Sequence, residues 1–366
     1  DIYSLAQKSV DVQDDRTKRA LEAYSAGINA RLLERNLKSL GRGAPELLIY
    51  NILLASWHPA DSIANLKLFA VNSSSHYAKE ILRARTLITL PDPKRVIDIL
   101  PDSPEFQNET TSEVLSLLDP DNLIRTKKYQ PKLDFFNGFV NNRLAGASNS
   151  FAANDFRTAT EGTLLANDPH FKLSVPSQFY LAHLELSSGG IIGGTIPGIP
   201  TVIAGRSPYI GWGISASYAD DQDLYAEEIN QNDDEKYKSL DGWKTFRSEE
   251  TVIKIKGNNS KKIKLKWSEN GPVLDKVMSQ ISDITPPNHE MAISWTMLTP
   301  KDTSMTALIN LTYSKDIKTA LNALEGHVAP SLNYTVVDKE NIALQLAGKL
   351  PKRGIDHNTR GRLPSF

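Results

Sequence analysis

The sequence predicts an α+β protein, with helices first and a strand-rich part after them. In roughly the first 90 residues, apolar side chains recur at three- and four-residue steps, the period of an amphipathic helix. After residue 147, short apolar runs alternate with turns rich in Gly, Pro, Asn and Ser, a pattern typical of strands. Helices followed by a series of strands are characteristic of the α+β class.

Two helices are predicted in the first part. The first runs from Thr17 to Leu37, where one apolar stripe is formed by Leu21, Tyr24, Ile28, Leu32 and Leu33. The second follows Trp57-His58-Pro59-Ala60, with Asp61 or Ser62 as its N-cap. We expect the apolar side chains of this second stretch to be buried, namely Ile63, Leu66, Leu68, Phe69 and, further along, Ile81 and Leu82.

The chain then turns polar from Asp92 to Lys132, where five prolines interrupt it. Such a composition predicts a surface connection with little core of its own. Further on, Ile253 and Ile255 alternate with lysines before a turn, and Ile263, Leu265 and Trp267 do so after it. This pattern predicts a hairpin with one solvated face, and its lysines are interpreted as surface solvation, not nucleic-acid binding.

The last part of the chain predicts one more helix and two strands. The helix spans residues 315 to 324, and the strands lie near 334 to 337 and 342 to 346.

Composition excludes several classes of protein. The 42 basic and 43 acidic residues leave a net charge of −1, which gives no general attraction to nucleic acid or to an anionic membrane. The absence of cysteine excludes disulfides, thiolate catalysis and cysteine-ligated metals. The longest uncharged stretch, Leu186 to Gly205, contains six glycines and two prolines, so it predicts strands and turns and not a membrane span.

Three local clusters carry residues capable of chemistry. The segments Gly146 to Phe151 and Asn167 to His170 are ordinary turn sequences when taken alone. The third runs from Trp212 to Asp223 and ends in three carboxylates within four residues. Those carboxylates are equally compatible with a solvated acidic loop and with a hard-cation site. A catalytic triad cannot be identified from spacing, because triads converge in space and not in sequence.

Taken together and in this order, the clusters resemble the penicillin acylase family of N-terminal nucleophile hydrolases. The similarity covers nearly the whole sequence. The longest matching stretch runs from Ser148 to Asp223 and includes Leu164 to His170 and Pro197 to Pro200. The shorter matching segments are Leu21 to Ala30, Trp57 to Ser62, Glu80 to Ala84, Asn270 to Val273, Leu332 to Tyr334 and Gly348 to Pro351. The resemblance implies a four-layer αββα core preceded by a helical α-chain segment, and a chain that is part of a longer polypeptide.

The resemblance assigns Ser148 as a nucleophile that self-cleavage between Ala147 and Ser148 exposes. Its free α-amino group then serves as the base, which is chemically reasonable because an α-amino pKa of about 7.7–8.0 lies near working pH. The backbone N–H of Ala216 is implied as one oxyanion donor, and an asparagine beyond residue 366 as the second. His170 is expected to orient the α-amino group or the substrate, and Asn149 to have a supporting role.

The resemblance also implies one structural Ca²⁺ per protomer. Asp220 and Asp223 would bind it through carboxylates and Gln222 through its carbonyl, with Glu80 reaching in from the α part. Oxygen-only ligation is what calcium prefers. Arginines or lysines neutralising the same carboxylates are the alternative.

By the same resemblance, residues 1–90 are the end of the α chain, 91–147 a connection and excised spacer, and 148–366 the first half of the β chain. The expected function is a self-processing amidohydrolase that cleaves an acyl side-chain amide of the penicillin or cephalosporin type. The alternatives are an N-acyl-homoserine lactone acylase and a calcium-stabilised binding protein without catalysis. The α and β chains are expected to stay associated, in the periplasm or outside the cell. Candidate residues for an acyl pocket are Phe151, Phe171 and Ile199, and a place in the core is an equal alternative for each.

Overall fold

The computed structural model describes residues 1–38, 54–74, 76–90, 95, 96, 98, 148–159, 161–171, 174–187, 189–276, 281–353 and 365. The connection expected at 91–147 therefore lies almost entirely outside the described residues, and the expected division into α chain, spacer and β chain stays a prediction. The chain divides into two compact units. The first comprises Asp1–Ser74, Asn142–Ala219 and Met297–Lys349, and the second comprises Ser75–Asn141, Asp220–Thr296 and Leu350–Phe366.

Helices and strands are mixed in the described part of the chain, as the α+β prediction requires. The helices are α1 (Ile2–Asp11), α2 (Asp15–Lys38), α3 (Pro59–Ser73), α4 (His76–Thr89), α5 (Ile281–Ile284), α6 (Ser304–Thr312) and α7 (Ile317–Leu324). The strands are β1 (Asn149–Ala153), β2 (Leu164–Asp168), β3 (Tyr180–Leu184), β4 (Ile191–Thr195), β5 (Ala204–Arg206), β6 (Gly211–Ala216), β7 (Gln222–Asn230), β8 (Asp233–Ser239), β9 (Gly242–Thr245), β10 (Arg247–Ile253), β11 (Lys261–Trp267), β12 (His289–Trp295), β13 (Leu332–Val337) and β14 (Ile342–Ala347). Among these residues no helix is long and apolar enough to cross a membrane.

The predicted helix over 17–37 is confirmed as α2, but the predicted N-cap of α3 is wrong. This helix begins at Pro59, with His58 as its N-cap. Proline is favoured at the first helical position because its missing N–H needs no partner there. Asp61 lies in the first turn, and its carboxylate accepts the backbone N–H of His58 at 2.6 Å. The carboxylate therefore caps the helix from inside the first turn.

Two of the leucines predicted to be buried are exposed. In α3 the buried side chains include Ile63, Leu66 and Phe69, whereas Leu68 is 44% exposed. In α4 the buried stripe includes Ile81, and Leu82 is 47% exposed. Each leucine is adjacent in sequence to a buried residue, and one step along a helix turns the side chain by about 100° away from the core.

The first unit is built on a six-stranded antiparallel sheet in the order β14-β13-β6-β5-β4-β3. Helices α1, α2, α3, α6 and α7 contribute side chains to one core with Trp212 and Ile214 of β6. Side chains alternate across a strand, so Gly213 presents the opposite face. A Cβ added there would lie 2.8 Å from the Ser150 hydroxyl and 2.9 Å from Asn167, so the β1–β2 pair packs closely on that face. The helices, the six-stranded sheet and the β1–β2 pair correspond to three of the four expected layers.

The second unit contains a four-stranded antiparallel sheet, β12-β7-β8-β9, and the two-stranded pair β10-β11. The predicted hairpin is confirmed: Ile253 pairs with Lys261, and Arg247 with Trp267. The lysine side chains of β11 reach acidic side chains, since Lys264 lies 2.5 Å from a Glu235 carboxylate oxygen. The predicted helix near 315–324 and the two strands after it are likewise confirmed as α7, β13 and β14.

Candidate active site

Ser148 stands immediately before β1, and strand register brings His170 to it. In the antiparallel pair β1-β2, Asn149 lies opposite Asp168, so the residue before β1 meets the residues that follow β2. The backbone N–H of His170 donates a hydrogen bond to the Ser148 hydroxyl oxygen at 3.2 Å. Three of the residues expected at the site, Ser148, Asn149 and His170, are thus brought together.

The imidazole of His170 is engaged by a carboxylate that the sequence analysis did not single out. Its Nε2 lies 2.6 Å from Asp168 Oδ2, and both side chains are exposed. A carboxylate at this distance orients the ring and favours a proton on Nε2. In the described arrangement His170 therefore contacts Ser148 through its backbone and Asp168 through its ring. Its expected action on the α-amino group or the substrate stays a prediction.

A second unanticipated residue, Asn167, ties β1 and β6 together. Its amide nitrogen donates to the carbonyl of Asn149 at 2.9 Å and to that of Ile214 at 2.8 Å. Its amide oxygen accepts the N–H of Ile214 at 3.1 Å. Asn167 lies inside the Leu164 to His170 motif, which carries the family resemblance. Its contact with Ile214 on β6 has no signal in that motif.

Ala216, the expected oxyanion donor, is the last residue of β6. Its carbonyl oxygen accepts the side-chain N–H of Asn333 at 3.2 Å. In a strand, the backbone N–H groups of residues i and i+2 point to the same side. The N–H of Ala216 is therefore directed to the side on which the N–H of Ile214 meets Asn167. Its role as an oxyanion donor stays a prediction.

A cavity of about 1340 Å³ begins beside this motif. Its wall includes Asn167, Pro169 and Phe171, so it adjoins residues on either side of Asp168 and His170. Much of the wall is apolar: Leu165, Phe171, Val175, Phe179, Leu181, Ile192 and Trp212. Of the residues expected to line an acyl pocket, Phe171 does so. Ile199 is buried in the core of the first unit, and Phe151 is 69% exposed on β1.

Aromatic side chains support the wall of this cavity from the helical side. Phe171 and Phe179 lie with ring centroids 5.0 Å apart, and Phe69 of α3 packs against both, at 5.8 and 6.2 Å. Tilted and edge-on ring pairs at such distances are favourable. Helix α3 thus supports the wall of the cavity.

The residues expected to bind calcium also come together, in the second unit, but around an arginine. Arg353 Nε lies 2.9 and 3.1 Å from the two carboxylate oxygens of Asp223, and its Nη2 lies 3.0 Å from Asp220 Oδ2. The same Nη2 approaches the carbonyl of Gln222 at 3.5 Å. The side-chain amide oxygen of Gln222 accepts the N–H of Tyr77 at 3.1 Å.

Glu80 also belongs to this cluster, and this residue is only 1% exposed to solvent. Its Oε2 accepts the N–H of Leu224 at 3.2 Å, while its Oε1 has no hydrogen-bond partner. Burial raises the pKa of Glu80 well above its ordinary value, and the Asp223 and Asp220 carboxylates raise it further. Burial likewise raises the pKa of Asp220 to about 6, against the lowering effect of Arg353.

In this arrangement an arginine contacts the expected calcium ligands. Each expected ligand group of Asp220, Gln222 and Asp223 faces the guanidinium of Arg353, which supplies the positive charge. Among the described residues, no group of three or more histidine or acidic side chains is arranged to hold a metal. The alternative of neutralisation by a basic side chain accounts for the observed contacts. Calcium binding stays a prediction, and no chemical step depends on it.

Comparison with curated proteins finds acylases. The acyl-homoserine lactone acylase QuiP of Pseudomonas putida is 25% identical over 379 residues, which cover 99% of this chain and 42% of that protein. The protein of the same name from Pseudomonas aeruginosa is 28% identical over 224 residues, covering 60% and 26%. The penicillin acylase 2 proenzyme of a Pseudomonas species is 26% identical over 226 residues, covering 59% and 27%. The chain spans less than half of the length of these relatives.

Comparison with solved structures supports the fold. A thermostable penicillin G acylase from Alcaligenes faecalis matches with a TM-score of 0.52 at 22% identity, over 60% of this chain and 38% of that one. This likeness shows that the chain has part of the penicillin G acylase fold, as the expected N-terminal nucleophile hydrolase core requires. A family model described as penicillin amidase matches residues 1–365. Since this match extends over nearly the whole sequence, the chain belongs to the penicillin amidase family.

Proposed function

We propose that this chain is part of an amidohydrolase that uses Ser148 as its nucleophile and cleaves the amide bond of an acylated amine. The observation that carries the proposal is the position of Ser148: its hydroxyl is held by the N–H of His170, and the residues that follow β2 continue into the wall of the cavity. Membership of the penicillin amidase family supports the reaction class.

The proposed reaction begins with cleavage of the Ala147–Ser148 peptide bond, since only then is the nitrogen of Ser148 an amine. The hydroxyl oxygen attacks the carbonyl carbon of the substrate amide, and its proton passes to the α-amino group. The N–H of Ala216 stabilises the oxyanion of the tetrahedral intermediate. The α-amino group returns the proton to the leaving amine, and water then hydrolyses the acyl ester to release the acid and free Ser148.

The cavity favours an apolar acyl group. Leu165, Phe171 and Phe179 contribute to its wall, and burial of hydrocarbon against such side chains provides about 25 cal/mol per Å². An acyl-homoserine lactone is the second candidate beside a penicillin-type amide. The observation that favours it is that the lactone acylases of five Pseudomonas strains match 96–99% of this chain, whereas the P. aeruginosa lactone acylase and the penicillin acylase 2 proenzyme match 60% and 59%.

Intact-mass analysis of the full-length protein tests the proposal first. We expect two chains, the second beginning at Ser148, and an uncut chain after Ser148→Ala. Release of a primary amine from penicillin G and from long-chain acyl-homoserine lactones then measures turnover and separates the two substrate classes. Cleavage or turnover that survives Ser148→Ala would remove Ser148 from its role. A folded, uncut and inactive wild-type protein would favour the binding-protein alternative.

Three further expectations belong to the same proposal. Association of the two chains after cleavage is measured by gel filtration of the processed protein. The periplasmic or extracellular location is measured by fractionation of the producing cells. Calcium is measured by metal analysis of the purified protein before and after dialysis against a chelator.

A further inference from the structure

We propose that Asn167 is a positioning residue that sets the distance between the nucleophile and the oxyanion donor. The inference rests on the proposed function and extends it to a side chain that takes no part in proton transfer. Its basis is the set of three hydrogen bonds that the Asn167 amide makes to backbone groups on two other strands.

The first step concerns the strand of the nucleophile. Asn167 lies opposite Ser150 in the β1-β2 ladder, and its side chain also bonds the carbonyl of Asn149, the residue after Ser148. The peptide group that follows Ser148 is thus held from the side as well as through the ladder. Rotation of this peptide would move the hydroxyl oxygen and the α-amino nitrogen of Ser148 together.

The second step concerns the strand of the oxyanion donor. The neighbouring strand β5 pairs with β6 only at Gly211 and Trp212. Beyond that point, the Asn167 amide bonds both the N–H and the C=O of Ile214, as a partner strand would. Ile214 precedes Ala216 by two residues, so its N–H and that of Ala216 point to the same side.

The third step is the close fit that makes this contact possible. The absent side chain of Gly213 leaves room for Asn167, whose Cβ and Cγ would each lie 2.9 Å from an added Cβ. A side-chain amide has two donors and one acceptor group, and here both kinds are used. One planar amide therefore holds β1 against β6. Attack and oxyanion binding require their groups to lie within about 0.5 Å of the productive geometry.

The test compares wild type, Asn167→Ala and the isosteric Asn167→Asp in the full-length protein. Aspartate keeps the volume and an acceptor for the Ile214 N–H but cannot donate to either carbonyl when ionised. We expect both variants to fold, and their kcat or their rate of self-cleavage to be about 100-fold lower than that of wild type. A loss of this size corresponds to a misplacement of the reacting groups by about 1 Å. KM should stay unchanged in both variants. The pKa seen in the pH profile of kcat/KM should stay unchanged in Asn167→Ala, because the base is the same and no charge is added.

A control and an active-site count separate positioning from general stability. Asn270→Ala removes a comparable half-buried amide, which bonds Glu227 in the second unit, and should leave kcat unchanged. Labelling with a sulfonyl fluoride, counted by intact mass, gives the fraction of molecules with a reactive Ser148. A merely structural role would lower that fraction and leave kcat per labelled site at its wild-type value, which overturns the inference.

Failure of the inference is distinct from failure of the proposed function. Wild type that neither cuts itself nor turns over an acyl amide would refute the proposed function. Active wild type with both Asn167 variants cleaved and within threefold of its kcat would refute only the role of Asn167. If Asn167→Ala does not fold, the isosteric aspartate variant decides the question by the same criteria.

Discussion

Replacing Lys67 by methionine should lower the free energy of unfolding of the first unit by about 3 kcal/mol. The Lys67 ammonium on α3 lies 2.7 Å from Asp302 Oδ2 and 2.9 Å from the carbonyl of Met297, and the two side chains are 1% and 3% exposed. Removing one partner of such a pair costs about 3–5 kcal/mol, because a buried charge is left uncompensated. Ser304 still donates two hydrogen bonds to Asp302 Oδ1, which places the cost at the lower end.

Urea denaturation and thermal scans measure this loss. For a folded unit of 150–250 residues, each kcal/mol shifts Tm by about 2–4 °C, so Lys67→Met should lower Tm by about 6–12 °C. The urea m-value should stay constant, because the surface exposed on unfolding is unchanged. Lys301→Met, at an exposed position one residue from Asp302, is the matched control and should stay within about 0.5 kcal/mol of wild type.

A double-variant cycle with Asp302→Asn decides whether the cost arises from the pair. If the two charges stabilise each other, the double variant should lose less stability than the two single variants combined. Additivity within about 0.5 kcal/mol would refute the coupling, since distant or independent sites behave in that way. A loss below about 1 kcal/mol for Lys67→Met would refute the argument from burial.

Three further predictions concern other contacts. Gly213→Ala should lower stability by about 1–3 kcal/mol and slow self-cleavage, because the new methyl would displace Asn167; unchanged rates and Tm would contradict this. Burial holds the pKa of His327 below its ordinary value of 6.5. As pH falls through 6.5, only the unfolded chain gains a proton at this residue, so the stability of the folded protein should decline. His327→Gln should therefore flatten the curve of Tm against pH. Arg353→Met should lower Tm more at pH 8 than at pH 5, where Asp220 takes up a proton; equal losses would exclude the charge of Asp220 as a cause.

The elements that the sequence predicted correctly are those with a strong local signal. Helix α2 has an apolar stripe from Leu21 to Leu33, the hairpin β10-β11 alternates around a polar turn, and α7 has an acidic N-cap. Helix α6 was missed because it is buried on most sides: Met305, Ala307, Leu308, Ile309 and Leu311 leave no polar stripe to reveal its period. Helix α1 was overlooked although Ile2, Leu5, Ala6 and Val10 recur at helical steps, so its signal is present in the sequence.

The sequence pointed to residues that the structure brings together, but not to the contacts among them. Resemblance singled out Ser148 and His170, and the register of β1-β2 then joined them. The bonds of Asn167 to Ile214 and of Arg353 to Asp223 join residues 47 and 130 positions apart, respectively. Such pairs depend on how distant elements pack, and no local pattern of charge or hydropathy encodes them.

Helix α3 supports the wall of the cavity from behind, although the described residues that line the cavity all follow Ser148. Phe69 packs against Phe171 and Phe179 of the cavity wall, and two residues earlier Lys67 is bonded to Asp302. Withdrawing α3 would expose an aromatic cluster and leave a carboxylate buried without its cation. Both changes are unfavourable, so cleavage of the Ala147–Ser148 bond would free an amine without freeing the helix. The contacts that would hold α3 in place after such a cleavage are therefore also the contacts that support the wall of the cavity.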